Sequence, residues 1–399
     1  MLRPGTFALT TLLAALSAIG PLTTDMYLPS LPDIARQLNA STAQVQFTIS
    51  AYLIGFAFGQ IFYGPVSDRH GRKPVLLSAI ALYCVASLAC ALSTSIEMLV
   101  IARVFQALGG CGGIVLTRAI VRDIYSGARA GRELSLIGSV MALAPVLAPI
   151  AGGLLQTGFG WRVVFFALVA AGLLGWGIVW MLLPETLNTR AAEPVSIASM
   201  ARSYRVVARN PSYLAYLGIT SASYAGLFAW ISGAAFVLQD LYGLTPFDFG
   251  VAFALGSIGY MTGSALAARI VIRLGLDGVL GVGGCACAVG GLGMVVSVAS
   301  GLTSSLSLVL PVAIYLAGLG MVLPQGIAGA MTPFPERAGA ASSLFGFIQQ
   351  SAAALCGAVV GWFLGQSAWP LAAGVAMMGC ATLGFWLATR GIRRIAARH

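Results

Sequence analysis

Twelve stretches of this sequence are long and apolar enough to cross a bilayer core about 30 Å thick. They cover residues 6–28, 45–65, 74–93, 97–117, 133–156, 162–183, 212–238, 249–272, 279–299, 306–330, 339–363 and 368–389. Because lipid cannot satisfy the hydrogen-bonding groups of an open sheet edge, each stretch is predicted to be a helix. The ten-residue alternation that is typical of outer-membrane strands is missing from the sequence. We therefore expect an all-α polytopic membrane protein with twelve transmembrane helices in two six-helix halves.

Composition supports this fold class and excludes several functions. Hydrophobic residues make up 58% of the chain and charged residues only 9%, whereas soluble domains carry roughly 25% charged residues. The net charge of +10 comes from short basic clusters between apolar stretches, so no nucleic-acid partner is expected. The seven cysteines all fall inside apolar stretches without metal-site spacing, and no metal site is expected.

The distribution of basic residues predicts the orientation. With the N-terminus inside, nineteen of the 22 lysines and arginines fall in cytoplasmic segments, Arg36 and Arg162 fall outside, and Arg103 lies within a span. Cytoplasmic loops carry an excess of Lys and Arg. Both termini are therefore predicted to be cytoplasmic.

The polar interval in the middle of the chain divides the twelve stretches evenly. We predict an N-terminal six-helix bundle over residues 1–184, a cytoplasmic linker over 185–210 and a C-terminal six-helix bundle over 211–399. A short repeat relates the halves, since Asp68-Arg-His-Gly71 corresponds to Ile272-Arg-Leu-Gly275. Parallel six-helix repeats are common in secondary transporters, which bind substrate between the halves near the membrane midplane.

The segment from Gly64 to Leu77, which reads Gly-Pro-Val-Ser-Asp-Arg-His-Gly-Arg-Lys-Pro-Val-Leu-Leu, closely resembles the signature loop of the major facilitator superfamily. Gly64 is expected to permit close helix contact and Gly71 a tight turn. The resemblance implies a gating latch on the cytoplasmic side. The residues concerned are Gly64, Asp68, Arg69, Gly71, Arg72 and Lys73.

Three further segments resemble the drug:proton antiporter branch of that superfamily. Leu99-x-x-x-Arg103-x-x-Gln106-x-x-Gly109 resembles a fourth-helix motif linked to proton transfer. Ala144-Pro-Val-Leu-Ala-Pro149-Ile-Ala-Gly152-Gly153 resembles the fifth-helix antiporter motif, with Ala in place of Gly at 144 and 148. Residues 25–32, Asp-Met-Tyr-Leu-Pro-Ser-Leu-Pro, and 118–125, Arg-Ala-Ile-Val-Arg-Asp-Ile-Tyr, are similar to the Bcr/CflA (bicyclomycin-resistance) subfamily.

That resemblance implies a proton-coupled exporter of small drugs or metabolites in the bacterial inner membrane. Members of the subfamily export bicyclomycin, sulfonamides, phenicols and some small metabolites, and family relatives mostly function as monomers. Further gating residues are implied in the same motifs. These are Arg118, Arg122, Asp123, Pro149, Gly152 and Gly153.

Motif chemistry argues against an enzyme and against an ATP-driven pump. Lys73 is the only lysine and no P-loop precedes it, so ATP cannot be the energy source of this chain. The two histidines, His70 and His399, lie in predicted cytoplasmic segments, and neither a nucleophile elbow nor a His-Glu-x-x-His site is present. No cofactor is expected, and a proton gradient is the predicted energy source.

Proton coupling needs a titratable group inside the membrane, and Asp25 is the clearest candidate within a span. An intramembrane charge is expensive and is a functional-site hypothesis by default. Arg103 is the one arginine well inside a span rather than near its end, about seven residues from the outer start of the fourth helix. We predict that both line the central cavity and that Arg103 keeps the Asp25 carboxyl ionised until substrate or a conformational change weakens their interaction.

The substrate cavity is predicted to be largely apolar with a few polar groups. The candidate lining residues are Tyr27, Gln46, Tyr52, Gln106, Tyr224, Trp230, Tyr315, Gln325, Gln349 and Gln350. Asp240, near the outer end of the seventh helix, is a possible second carboxylate. The nearest alternative function is a proton symporter that imports a small nutrient such as a nucleoside or amino acid, and a channel stays open at this point.

Overall fold

A computed structural model describes residues 6–125, 127–187, 197–302, 304–334 and 337–396. Those ranges consist of helices joined by turns, with no strand among them. Eight α-helices precede the gap at 188–196. They are α1 Phe7–Asp25, α2 Leu31–Gln37, α3 Thr42–His70, α4 Arg72–Ala91, α5 Ile96–Ile124, α6 Gly127–Met141, α7 Ala144–Phe159 and α8 Trp161–Leu182.

Seven further α-helices follow the gap. They are α9 Ile197–Val207, α10 Pro211–Phe236, α11 Pro246–Ala299, α12 Leu306–Met331, α13 Ala338–Phe363, α14 Trp369–Ala388 and α15 Arg390–Ala396. A short 3₁₀ helix at Leu28–Ser30 precedes α2, and a π-helical turn at Val237–Leu241 extends α10.

Polar side chains fix where several of these helices begin. Ser95 accepts a hydrogen bond from the backbone N–H of Met98, and Asn210 accepts one from Tyr213. Such caps satisfy backbone donors that the first helical turn leaves open. Each of these starts therefore follows from local sequence.

Eleven helical segments of the described ranges are long and apolar enough to cross a membrane, judged by length and composition. The predicted spans number twelve because α11, 54 residues long, covers two of them. Its helical path is broken at Gly275, whose φ of 68° and ψ of 174° are non-helical. The predicted boundary between the spans 249–272 and 279–299 thus falls at this break, which is shorter than the interval between them.

Two predicted spans are broken helices. The first was predicted over 6–28, but α1 ends at Asp25 and the chain continues through the 3₁₀ turn into α2. The fifth, predicted over 133–156, consists of α6 and α7 with a turn at Ala142 and Leu143 between them. Pro145 explains this second break, since proline lacks the N–H that would continue the hydrogen-bond ladder.

Contacts divide the chain into two compact units. Unit 1 comprises Met1–Ala40 and Ala51–Ser196, and unit 2 comprises Ser41–Ser50 and Ile197–His399. The N-terminal end of α3 is thus grouped with unit 2. The division into 1–184, 185–210 and 211–399 stays a prediction, because residues 188–196 of the proposed linker, including Arg190, lie outside the described residues, as do Arg3, Arg398 and His399.

Large apolar side chains cover much of the outer surface of both units. Leu174 on α8, Ile272 on α11 and Trp362 on α13 are among the most exposed. A water-soluble monomer rarely exposes contiguous apolar surface on this scale. Surfaces of this kind fit contact with lipid.

Candidate functional site

The guanidinium of Arg103 lies at the centre of a polar cluster in unit 1. The side chain is fully buried on α5. Its Nη1 donates a 2.7 Å hydrogen bond to Oε1 of Gln106, one helical turn later, and Nε2 of Gln106 donates to Oγ of Ser87 on α4 at 2.8 Å. Gln106 therefore holds the guanidinium and is itself fixed by a neighbouring helix.

Two tyrosine rings face the same guanidinium. Its central carbon lies 4.6 Å from the ring centroid of Tyr27 and 4.3 Å from that of Tyr52. Among the described residues, Nε and Nη2 of Arg103 have no hydrogen-bond partner. The aromatic faces offset part of the electrostatic cost of burying this cation, and the two open groups can donate hydrogen bonds to an acceptor atom of a ligand. Sequence reasoning chose all four residues of this cluster, and the fold brings them together.

Asp25 is the last residue of α1 and is buried, with 6% of its surface exposed. Tyr52 lies within electrostatic reach of both Asp25 and Arg103. No ion pair joins Asp25 to Arg103 within 4.0 Å; the ion pairs of the described ranges involve other residues. The predicted interaction is therefore not a direct ion pair; the guanidinium lies instead against Gln106 and the two rings.

The antiporter-like segment on α7 packs directly against the break that follows Asp25. Gly152 lies so close to the carbonyl oxygen of Met26 that a Cβ at position 152 would overlap it. Pro149 and Gly153 are buried on the same helix. Since Met26 is the C-cap of α1, the small residue at 152 lets α7 position the backbone beside Asp25.

Arg72 organises the signature loop at the other end of unit 1. Its Nη1 lies 2.6 Å from Oδ1 of Asp68, and its Nε lies 2.8 Å from Oδ2 of Asp123 at the end of α5. Nη1 also donates to Oγ of Ser67 at 2.6 Å. Gly71 has a φ of 99°, a value that few other residues adopt, which explains a glycine between α3 and α4. The motif thus ties α3, α4 and α5 together.

Glu185 is a member of this network that sequence reasoning assigned to the linker. Its carboxylate accepts the backbone N–H of Arg72 at 2.9 Å and that of Lys73 at 3.2 Å, and also those of Thr186 and Leu187. Partial burial favours the neutral acid, but these four donors outweigh it and hold the pKa of Glu185 below its ordinary value. Gly71, the N-cap of α4, has no side chain to cap the helix, and Glu185 performs that role. A signal for it was present, since an acid directly after the sixth span can meet a helix start on the same membrane side.

The remaining gating residues are less connected. Nζ of Lys73 donates to the carbonyl oxygen of Trp180 at 2.8 Å, while Arg69, Arg118 and Arg122 are exposed. The close helix contact predicted for Gly64 is wrong, because a Cβ there would meet no atom within 4 Å.

The candidate lining residues of unit 2 do not form one hydrogen-bonded cluster in the described ranges. Nε1 of Trp230, Nε2 of Gln349, Oε1 of Gln350 and both amide atoms of Gln46 are buried without hydrogen-bond partners. Buried polar atoms normally have a hydrogen-bond partner, which a ligand or a water molecule can supply. Tyr224 and Gln325 are half-buried.

Two further residues of unit 2 differ from their predicted roles. The hydroxyl of Tyr315 donates to the carbonyl oxygen of Ser223 at 2.9 Å inside the core, so Tyr315 is a packing residue rather than a cavity residue. Asp240 is exposed in the π-helical turn after α10, which does not favour the intramembrane role considered for it.

The sequence model of the Major Facilitator Superfamily matches residues 13–357. The chain is 35% identical to an uncharacterized MFS-type transporter, YdgK, of Bacillus subtilis, over 86% of this chain and 85% of the relative. It is 30% identical to a bicyclomycin resistance protein homolog of Haemophilus influenzae, over 90% of both chains. It is also 31% identical to multidrug resistance protein D of Escherichia coli, over 85% and 84%.

Among solved structures, a D-xylose-proton symporter superposes with a TM-score of 0.77 at 16% identity, over 95% of this chain and 97% of that one. This likeness supports the twelve-helix architecture and carries no information on substrate. The chain is a multi-pass membrane protein of a transporter class, not an enzyme. It belongs to the Major Facilitator Superfamily, as the signature loop at Gly64–Leu77 predicts.

Proposed function

We propose that this protein exports small drugs or metabolites from the bacterial cytoplasm in exchange for protons, by alternating access, with both termini in the cytoplasm. The observation that carries the proposal is the buried Arg103 cluster of unit 1, with two open guanidinium donors, two tyrosine rings and Asp25 nearby. The relatives named as resistance proteins support export rather than the import of a nutrient.

In this proposal Asp25 is the carboxylate that binds and releases the coupling proton. It is buried at the point where α1 breaks, so a shift of that break can change its exposure. The driving force is sufficient, since one proton crossing 100 mV supplies about 2.3 kcal/mol and a tenfold concentration gradient needs about 1.4 kcal/mol. One proton per substrate therefore supports a gradient of roughly fortyfold per 100 mV.

Tyr27, Tyr52 and Gln106 surround the open donors of Arg103 and are the proposed substrate contacts in unit 1. Aromatic faces suit a flat or apolar ligand body, while the guanidinium suits a carbonyl, hydroxyl or sulfonyl oxygen. The substrate class that fits is a small molecule with an apolar body and at least one acceptor oxygen. The partners proposed are this small molecule, protons and lipid, with the protein acting as a monomer without a cofactor.

The test is substrate-evoked proton release from purified protein in proteoliposomes, with wild type, Asp25→Asn and Glu97→Gln. Glu97 is an exposed carboxylate in the first turn of α5 and serves as the matched control. The compounds are bicyclomycin, chloramphenicol, a sulfonamide, a nucleoside and an amino acid. We expect a signal with at least one drug for wild type and Glu97→Gln, and none for Asp25→Asn.

Other outcomes would contradict specific parts of the proposal. A signal with the nucleoside or amino acid alone would favour the symporter alternative. Equal signals from wild type and Asp25→Asn would remove Asp25 from the proton path, and silence with every compound would reject coupled drug export.

A further inference from the structure

Glu133 is a second buried carboxylate of unit 1 that the proposed mechanism does not use. Among the acidic residues that the structure describes, Asp25 and Glu133 alone are buried. Both are associated with helix α1. Asp25 is its last residue, and Glu133 on α6 contacts Thr10 near its start. Thr10 and Asp25 are fifteen residues apart on α1, a distance of about 22 Å at the helical rise of 1.5 Å per residue.

The contact that holds Glu133 is short and involves a neutral group. Oγ1 of Thr10 lies 2.6 Å from Oε2 of Glu133. In the described ranges no lysine, arginine or histidine nitrogen lies within 4.0 Å of this carboxyl. Burying a charge without a paired partner costs free energy, and this buried carboxyl has one neutral hydrogen-bond partner and no counter-ion in the described ranges.

The charged groups around Glu133 do not supply the missing cation. Helix α1 has no basic residue, and Arg129 and Arg132 on α6 itself are exposed. On α5, which also packs against α6, Arg118 and Arg122 are exposed and Asp123 is paired with Arg72. Glu97 and Arg103 lie near the opposite end of α5.

We propose that Glu133 is a second proton-binding site of this transporter, at the opposite end of α1 from Asp25. The carboxylate binds one proton, forming an O–H bond, when α6 closes against Thr10, and releases that proton when the contact opens. With Asp25, the transport cycle then carries two protons. This inference rests on the proposed proton-coupled function.

The experiment compares Glu133→Gln with Glu97→Gln and wild type. Glutamine keeps the shape and the hydrogen bond to Thr10 but cannot titrate. Two quantities are measured in proteoliposomes: the rate of substrate counterflow without any gradient, and the number of protons released per substrate. The substrate is the drug that gives the largest wild-type proton signal. For Glu133→Gln we expect counterflow within about twofold of wild type and proton release reduced to about half, because one of two titrating carboxyls is lost. Glu97→Gln should match wild type in both.

A purely structural role makes a different prediction. Wild-type proton release per substrate from Glu133→Gln, with a normal pH profile, would overturn the inference. If Glu133→Gln fails to fold, Thr10→Val is used instead, which leaves the carboxyl in place without its hydroxyl partner and should shift the pH profile of proton release. An unshifted profile in Thr10→Val would also overturn it.

A readout without substrate separates this inference from the proposed function. Infrared difference spectra of wild type between low and high pH should contain a protonated-carboxyl band that Glu133→Gln lacks and Glu97→Gln keeps. If no compound evokes proton release but this band is present, the coupled-export proposal fails while Glu133 still binds a proton. If the band is unchanged in Glu133→Gln, Glu133 does not titrate.

Discussion

Arg103 illustrates how a single buried cation is stabilised without an ion pair. Its Nη1 donates hydrogen bonds to Gln106 and to the carbonyl oxygen of Thr23, and two tyrosine rings face it. A planar guanidinium can lie against aromatic rings and donate in its own plane at the same time, whereas an ammonium is a point charge that needs hydration. The identity of the cation, and not only its charge, is therefore part of the site.

Replacing Arg103 with Lys should weaken substrate binding. Losing a charge-assisted hydrogen bond from the guanidinium to a ligand oxygen costs roughly 2 kcal/mol, which is about thirtyfold in Kd. The measurement is drug-induced quenching of tryptophan fluorescence in purified protein. Arg36→Lys, an exposed position on α2, is the control and should leave Kd unchanged. Equal affinity of Arg103→Lys and wild type would show that the guanidinium geometry has no role in binding.

The break between α1 and α2 shows how one helix determines the conformation of another. Proline at positions 29 and 32 disfavours a continuous helix. The end of α1 packs against α7, where Gly152 approaches the carbonyl oxygen of Met26. The antiporter-like segment on α7 thus fixes the position of the end of α1. Its small residues allow a backbone to approach that a larger side chain would exclude.

Gly152→Ala should therefore destabilise the protein and impair transport, while Gly158→Ala should not. A Cβ at 152 would overlap the Met26 carbonyl, whereas a Cβ at 158, on the same helix, would meet no atom within 4 Å. Forcing an extra methyl into a packed site typically costs about 1–3 kcal/mol, and Gly→Ala within an open helix position gains about 0.5–1 kcal/mol. Thermal unfolding in detergent and drug-evoked proton release are the measurements. Similar behaviour of the two variants would mean that α7 does not position Asp25.

In each unit, a charged residue that follows the last long helix binds a residue just after a glycine break; we call this contact the clasp. In unit 1, Glu185 follows the last long helix and binds the start of α4, just after Gly71. In unit 2, Arg393 follows α14 and donates from Nε to Oδ1 of Asp277 at 2.6 Å, just after Gly275, and also to Thr389 and to the carbonyl oxygen of Trp386. The charges are opposite, but the clasp occupies the same position in both units.

The clasp of unit 1 should make stability depend on pH through Glu185. The pKa of this carboxyl is held below its ordinary value in the folded protein, so its stabilisation is fully present above the ordinary pKa of a glutamate and is lost as pH falls through the lower folded value. Charge at a helix start contributes about 0.3–1 kcal/mol. Glu185→Gln should therefore lower Tm slightly at pH 7, and the difference from wild type should shrink toward pH 4. A Tm difference that is the same at both pH values would contradict this assignment.

Much of the molecule follows from the sequence because of the solvent in which it folds. Lipid demands long apolar helices with internally satisfied backbones, so hydropathy alone predicts twelve spans, and the spacing of Gly64-x-x-x-Asp68-Arg69-x-Gly71 predicts the family. The cluster of Arg103, Gln106, Tyr27 and Tyr52 was also predictable, since polar and ionisable residues inside a span are expensive and face other polar groups.

Long-range packing decided the rest. The sequence determined which segments cross the membrane and which side chains carry charge, because those depend on local composition. Only the tertiary structure decided that the break between the eighth and ninth spans is confined to Gly275, that Asp25 has no direct ion pair with Arg103, that Glu185 caps α4 and that Glu133 is buried against Thr10. Each of these depends on a contact between residues more than 70 positions apart or on a backbone angle, and hydropathy and motif spacing encode neither.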